Sequence, residues 1–336
     1  MSFLKNYQLI RVTSYGLRVF EYDKKRLYRQ INSKSTSFLP VFNQLATRNP
    51  LTRNLSYLLF CLFAISLQSC LSDIRTDVAK SSGTTEINLN KGKDLLENIH
   101  PGQSPAAWEG IEVYELTLVD EFFGLMGNIA SPFPDNRMTA QAVYAPGSYD
   151  GKLTFSSGKL KGETWGIQSW KTYTQKNGDK PVFAKHKKAA FWVPTYQYFI
   201  ELPARIQNAI IISYAGEQTF DGQTYDLVYA TWKSQEPQKD IDQYMVWINQ
   251  KTKMMDLVEF TVRDAFGGTT GVAFYEDLQE VTEGLLLPKQ ISIKTKKEND
   301  NLLHQIKLSD FKANHVSVNE VRPDANLKVV GDDKGE

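Results

Sequence analysis

Two cysteines and four histidines are the side chains best suited to nucleophilic or metal chemistry in this 336-residue chain, and their spacing supports neither. Cys61 and Cys70 lie in one apolar stretch. His100, His186, His304 and His315 are scattered, without His-Glu-x-x-His or any other ligand spacing. His304 shares an alternating face with Leu302, Ile306 and Leu308, which reads as a core or rim histidine satisfied by a partner rather than a metal ligand. No Gly-x-Ser-x-Gly elbow occurs. Residues 266–271 are rich in glycine, but no Gly-Lys-Ser/Thr closes them and strand-like runs flank them, so they read as a hairpin turn and not a phosphate cradle. Asp120-Glu121, and Asp277 with Glu280, read as exposed carboxylates. Lys185-His186-Lys187-Lys188 could meet anionic head groups at about 1 kcal/mol per lysine, and reads more simply as a solvated loop. No catalytic, metal or cofactor site is expected.

The stronger chemical signal is amino-terminal. Leu55 to Leu67 is a short apolar run, preceded by Arg48 and Arg53 and followed by Gln68-Ser69-Cys70. A bilayer needs about 20 helical residues, so the run is too short to span and suits the apolar region of a signal peptide. Residues 67–70 resemble a lipobox, with an apolar residue first, a small residue before the cut and then the cysteine; Gln68 matches the looser boxes of Bacteroidetes lipoproteins. The resemblance implies cleavage before Cys70 and acylation of its sulfur, which would consume the one thiol the mature chain keeps. Several acyl chains make an effectively permanent anchor where one does not. Leu71 in place of Asp implies sorting to the outer membrane, on its periplasmic face or at the surface. Residues 1–47 fit no signal peptide and are expected to be a mis-assigned upstream extension, with the signal peptide at 48–69.

Charge supports this division. Up to Arg53 ten Lys/Arg face two acids, a surplus of about +8, so a net charge of +1 leaves a body of about −7. An acidic body gives no reason to expect nucleic acid. Residues 70–93 are polar and rich in Gly, Ser, Thr, Lys and Asn, which predicts a flexible tether reaching about 25 Å. A single β-rich domain is expected over 94–320, with a disordered tail at 321–336.

Within that domain a short helix is expected at 94–99, stopped by His100-Pro101-Gly102. Strands follow at 111–119, 138–144, 153–155 and 164–173. Residues 210–214 and 225–232 should form a hairpin about Asp221-Gly222, and 244–248 another with 254–264; strands 270–278, 285–295 and 302–311 continue the meander. Tyr244 to Ile248 is apolar on both faces, so something must cover the sheet's second face. The fold class read from this pattern is mainly β and antiparallel, with a few short helices.

Phe191 to Pro203, Tyr214-Ala215-Gly216, Asp221 to Asp226, Tyr244 to Asn249, Glu283-Gly284 and Leu287-Pro288 together resemble the lipoprotein localisation factor superfamily, the LolA/LolB type, across about residues 94–318. There these pieces are sheet edges, hairpins and the closing strand; the form that the resemblance implies is a curved antiparallel sheet, or half-barrel, that wraps an apolar cavity closed by helices. The resemblance implies a membrane-tethered, non-catalytic envelope protein that binds a lipid, an acylated protein or another hydrophobic ligand. The alternative is an interaction module without a ligand cavity. With aromatic residues at 12% of the chain, Trp192, Tyr196, Phe199, Trp247, Phe260 and Phe274 are the candidate lining.

Overall fold

A computed structural model describes residues 71–263, 269–298 and 301–331. The signal peptide, Cys70, the upstream extension and the 266–268 turn lie outside the described residues. Two helices come first, α1 (Asp77–Ser82) and α2 (Glu86–Glu97). Then come β1 (Tyr114–Phe122), α3 (Gly124–Ala130), β2 (Arg137–Tyr144), β3 (Gly151–Phe155), β4 (Glu163–Gln168), β5 (Lys171–Lys176) and β6 (Val182–Phe183). The long helix α4 (Lys187–Arg205) leads into β7 (Ile211–Phe220), β8 (Gln223–Thr231), β9 (Tyr244–Asn249), β10 (Met255–Val262), β11 (Thr269–Thr282), β12 (Leu285–Lys294) and β13 (Leu302–Ala313).

Among the described residues these thirteen strands form one open, curved antiparallel sheet, ordered β6-β5-β4-β3-β2-β1-β13-β12-β11-β10-β9-β8-β7. The mainly β class expected from the alternation is the class observed. Two-residue periodicity fixes the faces: Tyr114, Leu116, Leu118, Asp120 and Phe122 of β1 are all buried, while Thr117, Val119 and Glu121 are less so. The turn at Asp221-Gly222 is the expected one, both residues having positive φ, 45° and 72°, as a two-residue hairpin demands.

The inner face is closed by α4, which corrects the reading of 191–203 as sheet edge. Its aromatic and β-branched residues favour strand locally. Burial overrides that preference, because Ala189, Val193, Tyr196 and Ile200 recur at helical spacing and are at most 2% exposed. Burying Val193, Tyr196 and Ile200 contributes about 1.5–3 kcal/mol each. His186 caps the helix, its Nδ1 accepting from the Ala189 N–H at 3.0 Å. Pro194 and Pro203 sit within the helix.

Three further expectations are corrected. The tether is not free chain: Thr76 and Thr85 cap α1 and α2, and both helices pack along the edge strand β7. The backbones touch where Gly92 meets Ser213; a Cβ there would lie 2.6 Å from the Ser213 carbonyl carbon. Pinning begins earlier still, because Arg263 donates to the Ser72 carbonyl at 2.7 Å and Arg75 pairs with Asp73 and Glu236. The tail is strapped down as well. Val321 is fully buried with Val113, Val143 and Ala145, Arg322 binds Asp150 at 2.7 Å, and Gln168 donates to the Asp324 carbonyl. Residues 164–173 form two strands, not one, turning at Ser169 and Trp170 with φ of 48° and 62°. No glycine or asparagine marks that turn; the Ser169 N–H bond to Asp150 and the packing of Trp170 on Tyr149 hold it instead.

A buried polar network locks the carboxyl-terminal half of α4. Glu201 accepts from Arg205 Nε at 2.6 Å, from Gln197 at 2.9 Å and from the Tyr114 hydroxyl of β1 at 2.9 Å, while Arg205 and Gln197 also reach the Ser148 carbonyl. Removing one partner from such a site leaves the other's buried charge without its counter-charge. Glu201→Ala is therefore expected to lower the urea-unfolding free energy by about 3–5 kcal/mol. Arg137→Ala, which breaks a solvent-exposed pair with Glu121, should cost less than about 1 kcal/mol. Equal losses in the two variants would contradict this account of what seats the helix.

Candidate functional site

Helix α4 packs on β3, β4 and β5 but stands off the other side of the sheet. A cavity of about 200 Å³ remains between it, the inner faces of β10 to β13 and the segment that follows α3. Helical spacing brings Trp192, Tyr196 and Phe199 to one wall. The opposing wall comes from Phe260 and Val262 of β10, Ile293 of β12 and Ile306 of β13. The Phe199 and Phe260 rings meet edge to face at 5.1 Å. Phe260 lies over its register partner Gly271, where a Cβ would come within 2.7 Å of the ring, so a larger residue on β11 would push that ring toward the cavity. Ile129 and Pro132 close one end, and Lys188 reaches the Pro132 carbonyl at 2.5 Å.

Four of the six residues expected to line a cavity are brought together here: Trp192, Tyr196, Phe199 and Phe260. Trp247 and Phe274 are not. The β9–β10–β11 register places them in one row with Leu257, on the outer face, where Tyr225, Leu227, Tyr229, Met245, Phe220 and Ala79 of α1 pack around them. This is what covers the second face of the doubly apolar strand 244–248, so the side chains themselves and α1 supply the cover that the sequence required. The inner face of the same strands carries Val246, Ile248, Val258 and Ala273 instead.

Behind two residues of the cavity wall, Tyr196 and His304, lies a buried carboxylate whose only trace in the sequence is the alternation of β1. Asp120 falls on the inner face between Leu118 and Phe122 and is fully buried, which corrects its reading as an exposed carboxylate. Pairing of β1 with β13 sets Phe122 opposite His304 and Asp120 opposite Ile306, so Asp120 and His304 are diagonal neighbours. His304 Nδ1 lies 2.9 Å from Asp120 Oδ1, and the Tyr196 hydroxyl donates to Asp120 Oδ2 at 2.6 Å. Burial, with the Asp120 carboxylate beside it, pushes the Tyr196 phenol well above its usual range, so it remains a donor. The His304 ring stacks on Phe122 at 4.8 Å and meets the Trp192 ring edge to face at 6.0 Å. The expectation of a partnered rim or core histidine thus describes His304.

Among the described residues no group of three His, Cys, Asp or Glu side chains is poised to hold a metal, and no helix is long and apolar enough to cross a membrane. A second groove, lined by Glu163, Thr174, Lys176, Asp179, Lys180 and His186, mixes acids with bases and shows no preference of charge.

Residues 168–312 match the model of a family of unknown function, DUF6503. No curated protein sequence matches the chain. Solved structures similar to it include a domain from Vibrio parahaemolyticus named for outer membrane lipoprotein sorting, at 10% identity and a TM-score of 0.48, covering 70% of this chain and 98% of that one. A LolA superfamily protein from Nitrosomonas europaea is similar at 10% identity and a TM-score of 0.44, over 67% of this chain and 94% of that one. The lipoprotein LppX of Mycobacterium tuberculosis is similar at 11% identity and a TM-score of 0.23, over 67% and 98%.

Proposed function

We propose that the protein is a lipid-anchored binding protein of the cell envelope that holds one slender apolar ligand, a single acyl chain, beneath α4 without transforming it. The observation that carries this reading is the apolar cavity of about 200 Å³ between α4 and the inner faces of β10 to β13. Protein interiors normally leave few voids larger than a water molecule. Volume limits the occupant: drug-sized ligands use about 300–1,000 Å³, whereas an apolar cavity of about 150 Å³ takes one benzene ring. The space suits one chain segment and is too small for the several chains of a whole lipoprotein.

The anchor belongs to the same proposal. Residues 48–69 are removed as a signal peptide and Cys70 carries the acyl chains, at the outer membrane. Because Ser72 is already bonded to Arg263, only Leu71 separates the acylated cysteine from the folded body. The body is then held against the bilayer instead of ranging about 25 Å from it. Arg263 follows Val262, a wall residue of the cavity, so the anchor leaves the fold at the strand end that borders the binding space. A second reading, a docking surface for another protein, draws on Leu125 and Met126 of α3, which are 75% and 62% exposed beside the cavity.

Displacement of a fluorescent fatty-acid probe by saturated chains of increasing length tests the binding reading. Each buried methylene contributes about 0.8 kcal/mol, so Kd should fall about fourfold per added carbon until the cavity is full and then level off. A Kd independent of chain length would contradict it, and a cross-linked protein partner at Leu125 and Met126 would then favour docking. The anchor is tested separately: metabolic labelling with an alkynyl palmitate should mark the wild-type chain and not Cys70→Ala. An unlabelled wild type would remove the anchor while leaving the cavity reading in place.

A further inference from the structure

The cavity has one polar pole, where Tyr196 and His304 of its wall both bond the buried Asp120. Both oxygens of the buried Asp120 carboxylate are occupied, one by the Tyr196 hydroxyl and one by His304 Nδ1. Asp120 needs nothing from a ligand. His304 differs, because its Nδ1 edge is turned to a fully buried partner and one ring face is stacked on Phe122, yet the side chain keeps 13% of its exposure and lines the cavity. The part of the ring it presents to a ligand is therefore the opposite edge, which carries Nε2. When Nδ1 donates to the Asp120 carboxylate, Nε2 is an acceptor in neutral imidazole and a donor in imidazolium.

We propose that the occupant of the cavity is a long-chain monocarboxylic acid whose carboxyl group pairs with His304 Nε2. A carboxyl group satisfies both states of the ring. As the acid it donates its O–H to the neutral nitrogen, and as the carboxylate it accepts from the imidazolium; the two descriptions hold the same number of protons, so the ligand brings the proton the pair requires. Lys188 on the cavity wall adds a positive charge that favours the anionic form. An alcohol can hydrogen-bond to either state of the ring, but it carries no charge to pair with an imidazolium or with Lys188, and an ester brings no proton at all. A phosphate head would present more acceptors than His304 and Lys188 can satisfy in an apolar enclosure. Asp120 acts through His304 as a positioning residue, fixing the tautomer. The inference rests on the cavity being the ligand site.

The test compares decanoic acid, decanol and methyl decanoate as competitors of the same fluorescent probe on the purified full chain. Wild type should prefer the acid over the ester by about tenfold or more, the effect of one charged hydrogen bond. In His304→Leu that ratio should shrink to within about twofold. Because the substitution could disturb the fold, the wild type also supplies a readout: the imidazole ¹⁵N resonance of His304 Nε2 should move on adding the acid and not on adding the ester. Equal binding of acid and ester to wild type, or an unmoved resonance, overturns the assignment to His304 and leaves the apolar cavity standing. A preference retained in His304→Leu overturns it too and assigns the carboxylate to Lys188. Failure of all three compounds to compete overturns the cavity reading and this one together.

Discussion

The structure depends on how α4 is seated. One helix has to close the inner face of a curved sheet, and it does so unevenly, because polar bonds hold it at two points. The Glu201–Arg205–Gln197 ladder with Tyr114 draws its carboxyl-terminal half onto β1 and the 145–150 loop. Midway along, the Tyr196 hydroxyl meets Asp120. About one turn to either side of that second point, Trp192 and Phe199 line the space that remains between the helix and β10 to β13. Apolar contact alone would have allowed the helix to settle closer. The buried bonds specify where it stops, and so convert a hydrophobic core into a core with a chamber.

Most of the sheet was legible from the sequence because strands from 210 onward alternate cleanly and turn at recognisable dipeptides such as Asp221-Gly222. The errors share a physical cause. Phe191 to Pro203 has the composition of a strand, and only the burial of Val193, Tyr196 and Ile200 against an already curved sheet makes it helical. The polar stretch after Cys70 has little apolar surface of its own, yet a few caps and one close approach at Gly92 bind its helices to the edge of β7. That location has a use: helices α1 and α2 cover an edge strand that would otherwise offer unpaired backbone groups to other chains.

For the cavity, helix spacing and strand alternation carried the four lining residues that lie together, while Trp247 and Phe274 fell on the wrong face because the parity of β9 and β11 relative to the helix was not fixed by composition. Asp120 was readable in principle. A carboxylate in the middle of Tyr114, Leu116, Leu118 and Phe122 has to be buried, and a buried carboxylate has to have partners. Who those partners are was not readable, since Tyr196 and His304 come from positions 76 and 184 residues away. Long-range pairing of β1 with β13 creates the site, and local sequence carries no record of that pairing.

In the proposed function the anchor and the chamber make one arrangement: a lipid-held Cys70, one residue from the described fold, would keep the binding space beside the membrane that supplies or receives the ligand, and a cavity of about 200 Å³ would restrict what enters to a single chain. The most direct test is crystallography of the chain soaked with a fatty acid brominated at its terminal carbon, read by anomalous scattering. The account predicts a bromine peak between Trp192 and Phe260. A peak confined to the surface of Leu125 and Met126, or none at any ligand concentration, would contradict it.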